Sequence, residues 1–310
     1  MYFEKDIEVT REEIVERISE KKEHLSEIKS EGKTTTYIKE LSDLALLQLE
    51  IENYKEAKKN LEICLEHFRK QKDRLGIASV LGILGTLYFK KNDYKKAIKY
   101  YEQSYEIYDE LKQIKEKIMS LKGIGNSYIN LGRLEKANDI FLKCSSISSK
   151  EDDIYNLLDC LSNLVYIHEN QGNWDVLFEL YQKILKIYKK LKDQKGIITA
   201  NFNLGIIMKK NQNLEESLYY FKSGTNVAID SNYSELIIKG LSYVGEIQYY
   251  LGNIENAKNQ FIKALYLAQE VKAKNAILQL KTLLTSLGLK NKEITEELKS
   301  YKEKNNEINL

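Results

Sequence analysis

Residues 84–101 read LGTLYFKKNDYKKAIKYY, and the spacing of the glycine, the alanine and the tyrosines in this stretch decides the fold. Positions in the stretch recur along the chain at intervals of forty residues. The row that contains Tyr94 holds a large apolar residue in all six copies: Tyr54, Tyr94, Leu134, Trp174, Leu214 and Ile254. A repeat of this length, uninterrupted by insertions, indicates stacked supersecondary units.

Further rows at the same period indicate how the copies pack. The row of Ala97 is alanine in four of six copies, and the row of Tyr101 is aromatic in five of six. Glycine inside a helix costs about 1 kcal/mol relative to alanine, so a recurring glycine predicts the close approach of a neighbouring helix. We expect Tyr101 to fill the space between layers. The row with recurring glycine is Ala45, Gly85, Gly125, Val165, Gly205 and Gly245.

Turn signals divide each copy into two helices. Gly132, Gly172 and Gly252 suit the left-handed residue that ends a helix. Between the turns, apolar residues recur three and four positions apart, as expected for amphipathic helices. Asn and Asp side chains favour helix N-caps, and the predicted caps of the second helices are Asn53, Asp93, Arg133, Asn173, Asn213 and Asn253.

The motif L84-G85-x-x-Y88, followed by Ala97 and Tyr101, resembles the tetratricopeptide pattern L-G-x-x-Y…A-x-x-x-F. The forty-residue period and the absence of proline are similar to the long-repeat subgroup of kinesin light chain, the Leu-Gly-Asn-repeat polarity adaptors and the Rap-type bacterial regulators. This resemblance implies an all-α fold, a right-handed α-solenoid of antiparallel helix pairs.

The repeat also predicts the organisation of the chain. Residues 1–32 are expected to form an N-terminal capping helix, 33–290 the solenoid, and 291–310 a C-terminal capping helix with a frayed tail. Capping elements keep the end layers of a solenoid soluble. The six predicted repeats lie near 34–72, 73–112, 113–152, 153–192, 193–232 and 233–272, and a partial repeat follows.

Composition disfavours several classes of partner. Lys and Arg number 48 against 46 Asp and Glu, and this balance provides no overall field to hold a nucleic acid. The charged N-terminus lacks the apolar segment of a signal peptide, and no apolar run reaches the length of about 18 residues that a membrane span needs. We therefore expect a cytoplasmic protein without a membrane partner.

The cysteines are few and widely spaced. Cys64, Cys144 and Cys160 form an odd set without a C-x-x-C pair. Such a set predicts neither a disulfide framework nor a zinc site. We expect reduced thiols that serve packing.

No sequence motif points to catalysis or to a bound cofactor or metal. The chain lacks dinucleotide, Walker A, nucleophile-elbow, zinc-protease and EF-hand patterns. His168 stands in the row of Tyr88, where we interpret it as a polar residue of the core rather than a catalytic base. The sequence therefore predicts a protein that is not an enzyme and has no cofactor.

The resemblance implies a binding groove, because the first helix of each tetratricopeptide repeat lines the concave side. The exposed positions lie three before and one, four and five after the row of Gly85. Asparagine there suits a peptide backbone, since its amide both donates and accepts, and aromatic residues provide pockets. The candidate groove residues are Lys90, Lys122, Asn126, Asn130, Asn163, Tyr166, Asn170, Phe202, Lys209, Glu246 and Tyr249.

Three groove residues match a more specific pattern. Lys122, Asn126 and Asn163 correspond to positions of the carboxylate clamp, which in chaperone-binding tetratricopeptide domains grips a C-terminal acidic peptide. The two other clamp positions call for cations and are Thr199 and Asn203 here. A generic polar groove is the favoured interpretation, and a true clamp is the alternative.

Repeat four departs most from the pattern. Val165 replaces the glycine, His168 the tyrosine and Leu177 the alanine. Larger residues are expected to widen the local helix spacing, which would give a kink or hinge. Ordinary divergence between repeats is the favoured alternative.

The function predicted from these features is a non-enzymatic scaffold or adaptor that binds a protein or peptide, in the form of a C-terminal or extended segment, in its concave groove. The alternative is a peptide-responsive regulator that resembles the Rap-type proteins. About 32 residues precede the first repeat, too few for an added DNA-binding domain, which disfavours that alternative. Homo-oligomer formation stays open, and a basic groove for nucleic acid is the third class.

Overall fold

The computed structural model describes residues 10–32 and 34–308, with side chains up to residue 303. Within those ranges the regular secondary structure is entirely helical, which confirms the all-α class. Fifteen helices occur there: α1 (Arg11–Ser30), α2 (Thr34–Glu50), α3 (Tyr54–Lys70), α4 (Arg74–Lys90), α5 (Tyr94–Glu110), α6 (Ile114–Asn130), α7 (Leu134–Lys150), α8 (Ile154–Gln171), α9 (Trp174–Leu191), α10 (Gln194–Lys210), α11 (Leu214–Asp230), α12 (Ser234–Tyr250), α13 (Ile254–Glu270), α14 (Lys274–Ser286) and α15 (Asn291–Ile308).

The helices form two compact units, Met1–Ile167 and His168–Leu310. From α1 to α7 in the first unit and from α9 to α15 in the second, consecutive helices pack against each other as antiparallel pairs. The first helices of neighbouring repeats also touch: α2 contacts α4 and α4 contacts α6 in the first unit, and α10 contacts α12 in the second. First helices therefore form the closely spaced, inner layer of each unit. The division falls within α8 of the divergent repeat four, and a hinge there stays a prediction.

Every turn between repeat helices has the same construction. A residue with positive φ recurs at intervals of twenty from Gly32 to Lys272, and most of these residues are not glycine. After α4, for example, the amide of Asn92 donates to the carbonyl of Phe89 and that of Asp93 to the carbonyl of Tyr88. This pair of hydrogen bonds is the Schellman motif. The forty-residue repeat thus consists of two halves of equal length.

The six predicted residues occupy the N-cap positions of the second helices, but only one of them forms the expected side-chain cap bond. Asp93 accepts a hydrogen bond from the amide of Lys96, but the other five predicted residues form no side-chain cap bond. In the fourth repeat the Asn173 amide instead contacts His168 and Gln171. Carboxylate caps also precede two first helices, where Asp73 accepts from Gly76 and Asp153 from Asn156.

The recurring glycines have the packing role that the sequence predicts. A Cβ built on Gly85 would lie 2.6 Å from the ring of Tyr101. The same relation joins Gly125 to Phe141, and in the second unit Gly205 to Phe221. Because real side chains do not approach so closely, each aromatic ring leaves room only for glycine at the position that faces it on the preceding helix.

The prediction that all three cysteines are free is wrong for two of them. Cys144 on α7 and Cys160 on α8 form a disulfide, with their Cα atoms 6.3 Å apart. Their separation of sixteen residues concealed the pair, because the turn between α7 and α8 brings distant positions together. Cys64 is free and buried, and burial raises the pKa of its thiol.

Candidate functional site

The inner layer of the first unit exposes a mixed polar and apolar surface on α6 and α8. Residues at helical spacing share one side of each helix. We call this surface the α6–α8 face, and it consists of Met119, Lys122, Asn126 and Asn130 on α6 and Tyr155, Asp159, Asn163 and Tyr166 on α8.

An ion pair joins the two helices of the α6–α8 face. The Nζ atom of Lys122 lies 2.5 Å from Oδ2 of Asp159 and donates to Oδ1 of Asn156 at 3.1 Å. Asn156 in turn donates its side-chain amide to Asp153 at 2.8 Å, and this hydrogen bond lowers the pKa of that carboxyl group. The network holds the ammonium group in one place instead of leaving it extended into solvent.

Large apolar side chains flank this network. Tyr155 is 76% exposed and Met119 is 66% exposed, while Tyr166 lies three turns along α8 from Tyr155 and is also exposed. Exposed aromatic and methionine side chains of this kind are enriched at protein interfaces. The α6–α8 face therefore offers apolar anchors on both sides of a fixed ion pair.

The predicted asparagines are partly engaged by their own helices. Asn130 donates its amide to the carbonyl of Asn126, and Asn163 donates to the carbonyl of Asp159, each at 2.9 Å. These bonds orient the two side chains. They also occupy an amide donor that the sequence interpretation assigned to a peptide backbone.

The second unit has a smaller surface of the same type, which we call the α10–α12 face. Lys209 Nζ lies 2.7 Å from Oε1 of Glu246 and 5.0 Å from the ring centroid of Tyr250. Tyr249 and Tyr250 are both exposed, and their ring centroids are 5.8 Å apart. Three of the candidate residues, Lys209, Glu246 and Tyr249, are thus brought together here.

Two other candidates lie apart from these surfaces. Lys90, at the end of α4, pairs with Glu50 of α2 at 3.3 Å in the first unit. Asn170 is exposed near the end of α8 and belongs to the second unit. Glu50 and Lys90 extend the pattern in which first helices are linked by an ion pair.

Phe202 requires a correction, because the structure places it in the core. Its side chain is 3% exposed, and its ring packs edge-to-face with Tyr243 and at a tilt against Phe221. The ring occupies space left by two glycines, since a Cβ on Gly224 would lie 2.7 Å from it and one on Gly240 2.9 Å from it. These glycines are the sequence signal that could have revealed the burial of Phe202.

The carboxylate clamp stays a prediction, and the geometry around Lys122 weakens its basis. A clamp needs a cation that is available to the terminal carboxylate, whereas Asp159 already neutralises Lys122. Thr199 donates its hydroxyl to the carbonyl of Lys195 in its own helix. A bound peptide carboxylate would have to displace Asp159.

Comparisons with known proteins agree with the helix-pair architecture. Sequence profiles described as tetratricopeptide repeat match residues 39–110, 123–151 and 157–191. The chain contains tetratricopeptide repeats. The chain is 23% identical over 212 residues to the TPR repeat-containing protein MJ1428 of Methanocaldococcus jannaschii, a match that covers 66% of the chain and 35% of that relative.

Solved structures share the fold at low identity. BtubC (BKLC) of P. vanneervenii superposes with a TM-score of 0.56 at 16% identity, covering 71% of this chain and 92% of that one. The apo form of RapI superposes with a TM-score of 0.51 at 14% identity, covering 84% and 99%. These likenesses show the fold alone, and they confirm that the resemblance to Rap-type proteins holds at that level.

Sequence reasoning missed four members of the α6–α8 region: Met119, Tyr155, Asn156 and Asp159. Met119 and Asp159 lie one helical turn before the predicted groove positions, and the other two lie earlier still. Extending each stripe by the same helical spacing would have found Met119 and Tyr155. The same extension passes through Asp159, but its pairing with Lys122 had no sequence signal, because that pairing depends on the distance between two helices.

The described residues also bear on membrane and metal sites. None of the described helices is both long and apolar enough to cross a membrane. No group of three or more His, Cys, Asp or Glu side chains in those residues is arranged to hold a metal ion.

Proposed function

We propose that this tetratricopeptide protein is a non-enzymatic scaffold that binds an extended peptide segment of a partner protein on the α6–α8 face. The observation that supports it is the exposure of Met119, Tyr155 and Tyr166 around the Lys122–Asp159 pair. Exposed apolar side chains of this size gain free energy when a partner covers them.

Each part of the face has a distinct role in the proposal. The tyrosines of α8 contact apolar side chains of the peptide, while Asn126 and Asn130 of α6 contact the peptide backbone. The Lys122–Asp159 pair presents one charge of each sign to the ligand, so it can contact polar groups of either sign. The α10–α12 face, with Tyr249 and Tyr250, is proposed as a separate contact of the same kind in the second unit.

The test uses a photo-crosslinking amino acid at position 155 in the source cells. Because Tyr155 is exposed, the replacement leaves the core unchanged. The matched control carries the same amino acid at position 142, since Leu142 is an exposed apolar residue on the second helix α7. We expect a discrete set of partners from position 155 that is absent from position 142.

A second variant separates binding from stability. Lys122→Met and Tyr166→Ser are expected to remove the crosslinked partners, yet to leave the unfolding midpoint nearly unchanged, because exposed ion pairs contribute about 0–1 kcal/mol. Partners that persist in this double variant, or that crosslink equally from position 142, would contradict the proposal. The triple variant Lys122→Ala, Asn126→Ala and Asn163→Ala tests the polar part of the face in the same way.

A further inference from the structure

A cavity of about 830 Å³ opens between the second helices α3 and α5 of the first unit, with α4 forming its floor. We call it the α3–α5 groove. Along α3 its lining recurs at i, i+3, i+4, i+7 and i+8, and along α5 at i, i+3, i+4 and i+7, so one face of each helix borders the groove for about two turns. Its lining is Glu62, Leu65, Glu66, Arg69, Lys70, Leu84, Tyr88, Lys96, Lys99, Tyr100 and Gln103.

The floor of the groove is apolar and aromatic. The rings of Tyr88 and Tyr100 are stacked, with centroids 5.2 Å apart and planes inclined by 5°. Leu65 and Leu84 continue this floor. Tyr100, an aromatic residue of α5, is only half-buried. Burial of this floor by a ligand would be favourable at roughly 25 cal/mol per Å².

The walls of the groove carry an excess of positive charge. Lys70 pairs with Glu66 and Lys96 with Asp93, each at 2.7 Å, and Glu62 pairs with Lys58 at 3.4 Å. Arg69 and Lys99, on opposite walls, have no ion-pair partner among the side chains that the structure describes. The charges that remain for a ligand are therefore both positive.

The next groove along the unit, between α5 and α7, does not share this positive charge. Between α5 and α7 the positions equivalent to Arg69 and Lys99 are Asp109 and Asp139, and both carry the opposite charge. Lys143 Nζ also lies 4.4 Å from the ring centroid of Tyr105 there and so bridges the two helices. In the α3–α5 groove the equivalent residues are Gln103 and Leu65, which leave the gap open.

We propose that the α3–α5 groove binds an acidic amphipathic peptide segment of a partner, a second binding site on the opposite layer of helices from the α6–α8 face. The apolar side chains of the segment contact the tyrosine floor, and its carboxylates pair with Arg69 and Lys99. Two parallel helices with an apolar floor between them match the way an amphipathic helix lies in a groove. Arg69 adds a planar fork that suits a carboxylate.

The test is fluorescence anisotropy with a labelled synthetic peptide of about three helical turns, with leucine at i, i+3, i+4 and i+7 and glutamate elsewhere. Its control peptide has glutamine in place of every glutamate. We expect the full chain to bind the acidic peptide, with an affinity that falls as salt rises, and to bind the glutamine peptide at least tenfold more weakly.

The key variant exchanges two exposed residues for those that stand forty positions later, Arg69→Asp and Lys99→Asp. We expect it to weaken binding about tenfold or more, and Tyr100→Ile, which reproduces Ile140, to weaken it to a smaller extent. The matched control is Lys122→Met with Tyr155→Ser on the α6–α8 face, which should bind as the wild type does. Circular dichroism checks that each variant is folded.

Three results would overturn the proposal. The first is equal binding of both peptides, or none, by the wild type. The second is that the α6–α8 variant loses binding while the Arg69/Lys99 variant keeps it, which would show that the peptide binds the α6–α8 face. The third is self-association, seen by sedimentation, that depends on Arg69 and Lys99 while the acidic peptide fails to bind.

Discussion

The hydroxyl oxygens of Ser104 and Ser120 lie 3.3 Å apart, one on α5 and the other on α6. Forty residues later the same two positions hold Cys144 and Cys160, which form the disulfide. In one copy of the second unit they hold Gly224 and Gly240, between which the ring of Phe202 inserts. The place where the second helix of one repeat approaches the first helix of the next therefore differs between repeats. It holds a pair of hydroxyl groups in one, a disulfide in another and an inserted aromatic ring in a third.

The disulfide is expected to stabilise the first unit without being needed for its fold. A closed loop of this length contributes about 3 kcal/mol by restricting the unfolded chain. Cys144→Ser with Cys160→Ser reproduces the Ser104–Ser120 pair, so it should fold and yet unfold at lower denaturant concentration than the oxidised wild type. Urea unfolding measures this difference, and Cys64→Ser is the control variant with no bridge to lose. Equal midpoints for the double variant and the oxidised wild type would contradict the prediction.

The Gly125–Phe141 contact predicts that alanine is destabilising where helix propensity alone would favour it. A Cβ on Gly125 would lie 2.6 Å from the buried ring of Phe141. Overpacking costs about 1–3 kcal/mol, and the gain in propensity returns about 1 kcal/mol, so Gly125→Ala should lower the free energy of unfolding. Gly82→Ala is the matched control, because its Cβ would meet only the Ser104 hydroxyl at 3.3 Å. A control as unstable as Gly125→Ala would show that ring contact is not the cause.

The burial of Phe202 predicts a large loss of stability on truncation. Phe202→Ala would leave a cavity between α11 and α12, and such substitutions cost about 3–5 kcal/mol. The expected drop in the urea midpoint contrasts with a near-neutral effect for Tyr249→Ala, an exposed aromatic residue in the same unit. If Phe202 were a surface residue of the groove, the two variants would be equally stable.

The environment of Tyr181 predicts that the folded protein loses stability at alkaline pH. Burial, together with the charge of Glu169, raises the pKa of its hydroxyl to about 12. The unfolded chain loses this proton near its ordinary pKa of about 10, so the contribution is fully present below pH 10 and is lost as pH rises toward 12. Tyr181→Phe, which matches the Phe141 and Phe221 positions of other repeats, should flatten the fall in urea midpoint over that range.

The control for that prediction is Tyr219→Phe, because Tyr219 is exposed and its replacement leaves the core unchanged. Tyrosinate absorbance adds a direct readout, since the late-titrating fraction should shrink in Tyr181→Phe alone. A wild type whose stability is constant from pH 10 to 12 would disprove the coupling.

Most of the architecture was predictable from the period of forty. The rows of Gly85, Ala97 and Tyr101 imply helices, turns and their mutual packing, because each constraint acts within one repeat and recurs in the next. The α6–α8 face was only half predictable. Lys122, Asn126 and Tyr166 follow from the stripe, but the pairing of Lys122 with Asp159 depends on the distance between two helices.

The sequence by itself determined the helix pairs of this protein, since helical spacing and turn length are local properties that the chain repeats. Only the tertiary structure decided that Phe202 is buried, that Cys144 meets Cys160, and that a gap stays open between α3 and α5. These outcomes depend on the sizes and charges of residues that face each other across neighbouring helices. Positions that are equivalent in the repeat therefore differ in what they contact.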